Sequence, residues 1–569
     1  MKLRKILFLV GLFGTIIASF VGSVFVAYEF GLRNTEPTAF AEVVFDKLFG
    51  IFDLESPVAL DRVTRQYGST FVQLEGRSVN VPADRAGFGG GLTTFGDDVL
   101  LLTHEGRILV VRSPDEVFET SIEAPPNGFS AYQRAAKSDR FKNLRHIFDS
   151  FRYNDILHFN ADWGRGLALS YTEYNESEAC YTNTIAILSI DPNIQSVENI
   201  TAGEEDWNVV YRSRPCLPLK ETLFALEGAH AGGRMVFRAP STIYLANGDY
   251  HWDGLNSPEI LPQRLDNDYG KVVEIDLASR QAKIVSMGHR NIQGIAFDRS
   301  GQLWTVEHGM RGGDELNLVE QGKNYGWPLE SFGTLYSWLP IPVAQSYGRH
   351  ENFTPPVYAW VPSVAISSLH RIEGFHESWD GDLLMASLHS RSLFRIRIKD
   401  NRVIFNEQIR IGARVRYALP LRDGRIVLWT DLNSLIFLTI SDRNFAVKFI
   451  QEQISQSNFT SDQQANVEAA INECMVCHGF EPQIDNRAPV LTAVFEAPIA
   501  STGFDGYSSS LKAREGRWTR EALQAFLQDP EKFAPGTAMP KPSYNDPVVL
   551  DALIDLLEAL KIQAEKPQP

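Results

Sequence analysis

The segment Cys474-Met475-Val476-Cys477-His478 holds the most specific chemistry in this chain. Two thiols with two residues between them suit thioether bonds to porphyrin vinyl groups, and the adjacent imidazole then falls under the iron. The run therefore reads as covalent attachment of haem c. A redox dithiol or half of a zinc site would need a thioredoxin-like βαβ context or a second cysteine pair, and the sequence offers neither. The second axial ligand is expected to be a soft donor, and Met539 lies in the rigid loop Pro535-Gly536-Thr537-Ala538-Met539-Pro540. Far upstream, His230-Ala231-Gly232-Gly233-Arg234 is followed by Gly248-Asp249. A histidine works as a base at neutral pH when a carboxylate orients it, so Asp249 is the candidate partner of His230. The plain alternative is a structural histidine satisfied inside a core.

These groups need elements to hold them. Between residues 97 and 441, short β-branched or aromatic runs alternate with Gly- and Asp-containing turns. Six segments share this rhythm: 97–112, 166–191, 233–248, 294–309, 381–399 and 424–441. Strands without long amphipathic helices between them predict an all-β fold. Recurrence at irregular spacing suits a β-propeller of six blades, or seven, whose radial closure protects the strand edges. Residues 443–464 read as a polar linker, with a helix starting at Ser461 or Asp462. A second helix is expected from the spacing of Val548, Leu550, Leu553, Ile554, Leu557 and Leu560. The fold expected is thus a lead-in over 31–89, a propeller over 90–442, and a small all-α haem domain over 465–565.

The chain has 569 residues, 22% of them charged, and a net charge of −16. It has no basic tract beyond Lys2, Arg4 and Lys5, which argues against nucleic acid as a partner. Those three cations precede an uncharged run over 6–28 that is long enough to span a bilayer as a helix. The expectation is an uncleaved single-pass anchor in the inner membrane, with everything after Glu29 on the periplasmic side; a cleaved signal peptide is the alternative. Outside the haem motif the cysteines are Cys180 and Cys216. Export favours a disulfide between them over two separate buried thiols.

From about 465 to 562 the sequence resembles class I cytochrome c, of the larger mitochondrial-like subgroup. The carriers are Ala488-Pro489-Val490-Leu491, Gly503-Phe504, Tyr507-Ser508, Trp518-Thr519, Asp529-Pro530 and the Met539 loop, in family order. The resemblance implies that Met539 is the sulfur ligand and that the Pro489 carbonyl orients His478. It places Trp518 and Tyr507 near the haem propionates.

A second resemblance covers about residues 90–440. Its carriers are His230, Gly288-His289-Arg290-Asn291-Ile292-Gln293-Gly294, Glu307-His308-Gly309-Met310-Arg311-Gly312-Gly313-Asp314-Glu315-Leu316-Asn317 and Asn324-Tyr325-Gly326-Trp327-Pro328. Trp360-Val361-Pro362-Ser363, Ser387-Leu388-His389-Ser390-Arg391 and Arg414-Val415-Arg416 continue it. These resemble the soluble glucose/aldose sugar dehydrogenases, propellers that use pyrroloquinoline quinone (PQQ) and calcium. The resemblance implies His230 as general base, and Arg290 and Asn291 on the quinone. It also implies that Arg414 and Arg416 hold the cofactor carboxylates; without it they read as a solvated charge pair on an edge strand. One calcium would sit on the carbonyls of Gly309 and Met310, a second on Asp314, Glu315 and the Tyr325 region. The sequence departs from the family at Ala229, where relatives offer a polar sugar contact, and at His389 or Arg391, where glucose-oxidising members bind PQQ with a lysine.

Together these features imply a quinohaemoprotein dehydrogenase. An aldose sugar or related alcohol would reduce PQQ, haem c would take the electrons, and a cytochrome, oxidase or quinone would collect them. The alternatives are a non-enzymatic ligand-binding propeller with a haem relay, and a different oxidoreductase on the same scaffold.

Overall fold

Each of the six rhythmic segments forms an antiparallel hairpin, and each hairpin belongs to a different sheet of four or five strands. In the computed structural model, residues 64–81, 89–135, 151–219, 228–346, 348–441, 444–479, 488–492, 494–502, 504, 506–544 and 546–564 are described. Two compact units emerge, Met1–Arg65 with Glu75–Thr439, and Gln66–Leu74 with Ile440–Pro569. The expected anchor over 6–28 and the unassigned segment over 35–52 lie outside the described residues. Among the described residues no helix is long and apolar enough to cross a membrane.

The larger unit is a propeller of six blades. Blade 1 runs from Gly91–Phe95 to Glu116–Glu119, and blade 2 from Tyr153–Ala161 to Asn208–Arg212. Blade 3 runs from Gly232–Arg238 to Ala282–Met287, blade 4 from Ile292–Phe297 to Tyr358–Trp360, and blade 5 from Ile366–Arg371 to Arg402–Arg410. Blade 6 combines Val415–Pro420, Arg425–Thr430 and Ser434–Ser441 with the early strand Gln73–Asn80, so the start and end of the propeller share one sheet. Alternating apolar residues from neighbouring blades fill the gaps between sheets. Leu100, Leu102 and Val110 meet Ile156, Leu167 and Leu169 between blades 1 and 2. Val99, Leu101 and Val111 meet Tyr417, Val427 and Trp429 between blades 1 and 6.

The innermost strand of five blades breaks register at its second residue: between Tyr153 and Asp155, Gly232 and Arg234, Ile292 and Gly294, Ile366 and Ser368, and Val415 and Tyr417. A bulge leaves the extra residue's carbonyl out of the ladder. Arg234 collects these carbonyls on the propeller axis. Its guanidinium donates to Gly90 O (2.7 Å), Asn154 O (2.9 Å), Gln293 O (3.2 Å) and Ser367 O (3.3 Å), and it lies 4.6 Å from the centre of the Tyr417 ring. One side chain from blade 3 therefore touches the inner edge of every other blade.

Cys180 and Cys216 are joined, with Cα atoms 5.6 Å apart, as expected. The bridge ties the segment after blade 2's last strand back to Cys180–Ile190.

The smaller unit is helical. Residues expected as a linker instead form helix α1 (Asn444–Gln456), because Ile450 and Ile454, one turn apart, bury an apolar face. Helix α2 (Ser461–Met475) starts at Thr460, whose side chain caps Gln463 N. Helices α3 (Arg520–Gln528) and α4 (Pro547–Ala564) follow. Helix α4 is apolar on two sides: Val549, Ala552, Leu553, Leu556 and Leu560 join α1 and α2, while Leu550, Ile554 and Leu557 join Trp518, Leu523 and Phe526.

Candidate active site and haem site

The propeller residues singled out in the sequence gather at one end of the blades, where first strands begin and second strands finish. His230 precedes blade 3's first strand, and Asp249 follows its second. Arg290 and Asn291 stand in the same relation to blade 4, whose second strand ends just before His308, Gly309 and Met310. Arg414 and Arg416 open blade 6, and Asp431 closes its first hairpin.

The two turns of blade 3 are pressed together. A Cβ on Gly248 would lie 1.7 Å from His230 O, so only glycine fits there. This contact brings His230 Nδ1 within 3.0 Å of Asp249 Oδ1. Asp249 is fully buried, and its second oxygen accepts the Trp327 indole N–H at 2.8 Å. A buried carboxylate accepts, so Nδ1 donates and the lone pair of His230 is left on Nε2. His230 is thus arranged to take a proton at Nε2.

Trp327 also links this pair to the next blade, since the Arg290 guanidinium lies 5.1 Å from the centre of its ring. Arg290 Nη1 donates to Gly309 O at 2.5 Å, and Arg290 N donates to Glu307 Oε2 at 2.6 Å. Glu307 also binds His289 Nδ1 (2.8 Å) and Asn317 Nδ2 (2.9 Å), which makes His289 a satisfied core histidine. Asn291 Oδ1 accepts from Gln293 Nε2 at 2.7 Å.

Arg414 and Arg416 are not a free cationic pair. Both clamp Asp431, Arg416 through two N–H groups at 2.8 and 3.0 Å and Arg414 through Nε at 3.1 Å. Burial would raise the Asp431 carboxyl, but Arg416 and Arg414 outweigh it and hold the group below the usual carboxylate range. Positive charge nevertheless accumulates nearby. Burial, reinforced by Arg416 and Arg234, lowers the Arg152 guanidinium to about 10. Burial pushes His308 down to about 4; Asp314 opposes the fall, and Arg290, Arg416 and Arg414 add to it. Guanidiniums that depress a neighbouring imidazole together leave room for anionic charge, and the donor set fits a ligand with several carboxylates.

The residues expected around calcium behave unequally. The Gly309 carbonyl accepts from Arg290 Nη1, so a cation bound there would share that oxygen with a guanidinium. Asp314, Glu315 and Tyr325 each have partners of their own. Both Asp314 oxygens are engaged, by Gly309 N, Ser363 Oγ, Val364 N and Ala365 N. Glu315 lies directly across from Glu307 in the ladder, and burial, then Glu307, raises its carboxyl well above the ordinary value, so it keeps its proton. The Tyr325 hydroxyl donates to Leu318 O and accepts Glu320 N.

In the smaller unit, helix α2 ends at the attachment motif. Cys474 and Cys477 are not bonded to each other, and His478 Nδ1 lies 2.7 Å from Pro489 O, which leaves Nε2 for iron. Burial lowers the His478 imidazole against the pull of the Pro489 carbonyl, which favours the neutral form that an iron ligand needs. Met539 packs on the same core as Cys474, Tyr507 and Trp518. The Tyr507 hydroxyl bonds Thr502 Oγ1, and Trp518 stacks on Phe533.

A six-bladed propeller with an oriented histidine in an arginine-lined mouth, joined to a helical unit with a haem-attachment motif, has the makings of an oxidoreductase. The family comparisons agree. Residues 165–438 match the family model described as Glucose / Sorbosone dehydrogenase. Aldose sugar dehydrogenase YliI of Escherichia coli is 32% identical over 260 residues, covering 42% of this chain and 65% of that protein. Quinoprotein glucose dehydrogenase B of Acinetobacter calcoaceticus is 27% identical over 243 residues, covering 30% of this chain and 51% of that protein. The chain thus spans between half and two thirds of the length of these propeller relatives. Cytochrome c 2.1 of Caenorhabditis briggsae is 30% identical over 95 residues, covering 16% of this chain and 81% of that protein. The chain belongs to the cytochrome c family through its C-terminal unit, and its propeller is similar to the glucose/sorbosone dehydrogenases over residues 165–438.

Proposed function

We propose that this chain is a membrane-anchored quinohaemoprotein dehydrogenase. It oxidises an aldose sugar or related alcohol in the periplasm and passes the electrons through its own haem c to an external acceptor. The carrying observation is the His230–Asp249 pair, 3.0 Å apart, at the same propeller end as Arg290, Arg414 and Arg416. The relatives named as an aldose sugar dehydrogenase and a quinoprotein support the substrate class and PQQ.

PQQ, when bound, supplies an electrophilic quinone carbon able to accept hydride from the substrate. Arg414 and Arg416 would hold its carboxylates, and Arg290 and Asn291 would face its quinone oxygens. The carbonyls of Gly309 and Met310 would hold the associated calcium. His230 Nε2 receives the hydroxyl proton as the substrate is oxidised, and Asp249 stabilises the imidazolium that results. Arg290 offers N–H donors where negative charge develops. In the smaller unit, Cys474 and Cys477 would carry the porphyrin while His478 and Met539 ligate iron, an arrangement that raises the reduction potential and suits an acceptor. The uncharged run over 6–28 would keep both units at the membrane surface, near a cytochrome, oxidase or quinone.

The test is to add PQQ and calcium to the purified haem-containing chain, offer aldoses and follow the haem absorption. The reading expects haem reduction that needs both PQQ and sugar and disappears in His230→Ala. Absence of PQQ binding would overturn it, and binding without reduction by any sugar would restrict it to a different substrate.

A further inference from the structure

Resting on the reading of His230 as the base, we propose that His251 is a positioning residue, a second imidazole that fixes the plane of the His230 ring through face-to-face stacking. The two rings lie 3.5 Å apart between centroids with 30° between their planes. A hydrogen bond from Nδ1 to Asp249 holds one edge of the His230 ring. A ring packed on its face opposes tilting out of that plane, so the stack acts together with the bond on the direction of Nε2.

His251 is itself built into the same carboxylate. Its backbone N–H donates to Asp249 Oδ1 at 2.9 Å, the oxygen that also takes His230. Its Nδ1 lies 3.3 Å from Asn256 Nδ2. Asn256 is in turn held by Asp253, which is 1% exposed and accepts Asn256 N and Leu255 N at 2.9 Å. An amide donor on Nδ1 makes that nitrogen an acceptor, so His251 carries its hydrogen on Nε2. An aromatic face beside His230 also favours the cationic ring that forms when His230 takes a proton. Among the described residues, Asp249 lies beneath the pair, Asp253 stands behind Asn256, and Arg290 lies across Trp327.

The backbone carries strain to achieve this. Tyr250 and His251 sit at φ 50° and 60°, and His230 at φ 58°, all in the left-handed region that non-glycine residues avoid. Such positions are unfavourable and persist where the surroundings over-determine them. Here the strained pair after Asp249 folds His251 back over His230.

The test uses the full haem-containing chain without added PQQ, labelled with 15N-histidine, alongside kinetics with PQQ, calcium and an aldose. In wild type and His251→Phe, the His230 Nδ1–H resonance should be slowly exchanging. In His251→Ala it should broaden or vanish, and the His230 titration midpoint should move to lower pH. In the same variant kcat should fall roughly 10- to 100-fold with little change in KM, and His251→Phe should recover most of it. An unchanged His230 resonance and midpoint in His251→Ala would overturn the proposal. So would a His251→Phe enzyme as impaired as His251→Ala. If wild type shows no sugar-dependent haem reduction, the dehydrogenase reading fails, while the resonances still decide the role of His251.

Discussion

At the scale of single residues, Asp249 makes the sharpest claim. It is buried, and its two oxygens serve His230, His251 and Trp327. In Asp249→Asn the side chain keeps its shape but can present an N–H toward Nδ1. His230 would then flip to the tautomer with hydrogen on Nε2 and lose its proton acceptor. A tautomer reversal behind a general base lowers kcat by about 10³–10⁴-fold. The expected outcome is that loss, with PQQ binding retained because Arg290, Arg414 and Arg416 are untouched. A kcat within tenfold of wild type would show that Asp249 does not orient the base. Much of this site was legible in the sequence because His230, Arg290, Asn291, Arg414 and Arg416 lie in runs that resemble the sugar dehydrogenases; by residue type alone Arg414 and Arg416 read as a solvated charge pair. Asp431, Trp327, His251 and Arg152 were not singled out as site residues. Each comes from another loop or sits beside an ordinary-looking neighbour, and only the closure of the blades sets them against the first group. His308 lay inside a quoted run, and nothing in the run showed that guanidiniums would converge on it.

At the scale of elements, the six hairpins were visible as alternating runs, but the bulges in the inner strands were not. A one-residue register break leaves no mark on a period-two pattern as short as six residues. Those bulges matter because they turn Asn154, Gln293 and Ser367 carbonyls to the axis, where Arg234 binds them. Arg234 also lies 3.4 Å from Asp155, so its removal orphans both carbonyls and a buried carboxylate. Breaking one side of a buried ion pair costs roughly 3–5 kcal/mol. Arg234→Met should lower the unfolding free energy of the propeller by about that amount in chemical denaturation, and Arg234→Lys should recover only part, since an ammonium cannot reach four blades in a plane. A variant as stable as wild type would mean that the blades close without the central guanidinium. The linker expectation failed for a related reason. Ile450 and Ile454 form half an apolar stripe, and its helical character becomes evident only once α4 supplies Leu553, Leu556 and Leu560 opposite it.

At the scale of the molecule, two separate sets of cores carry two chemistries. Between the propeller blades the apolar side chains come from neighbouring sheets, whereas Leu523, Phe526, Ile554 and their neighbours form a core wholly within the helical unit. Each unit therefore has its own source of cooperative stability, and ligands should act on them separately. Binding to the folded form adds RT ln(1 + [L]/Kd), about 2.7 kcal/mol at a hundredfold excess over Kd. Differential scanning calorimetry of the haem-containing chain should resolve two transitions. PQQ with calcium should raise only the one that also responds to Arg234→Met, while the transition reported by haem absorption stays in place. If PQQ moved the haem-reported transition equally, the two units would share one folding equilibrium, and the electron-carrying unit could not be treated as an independent fold attached to the propeller.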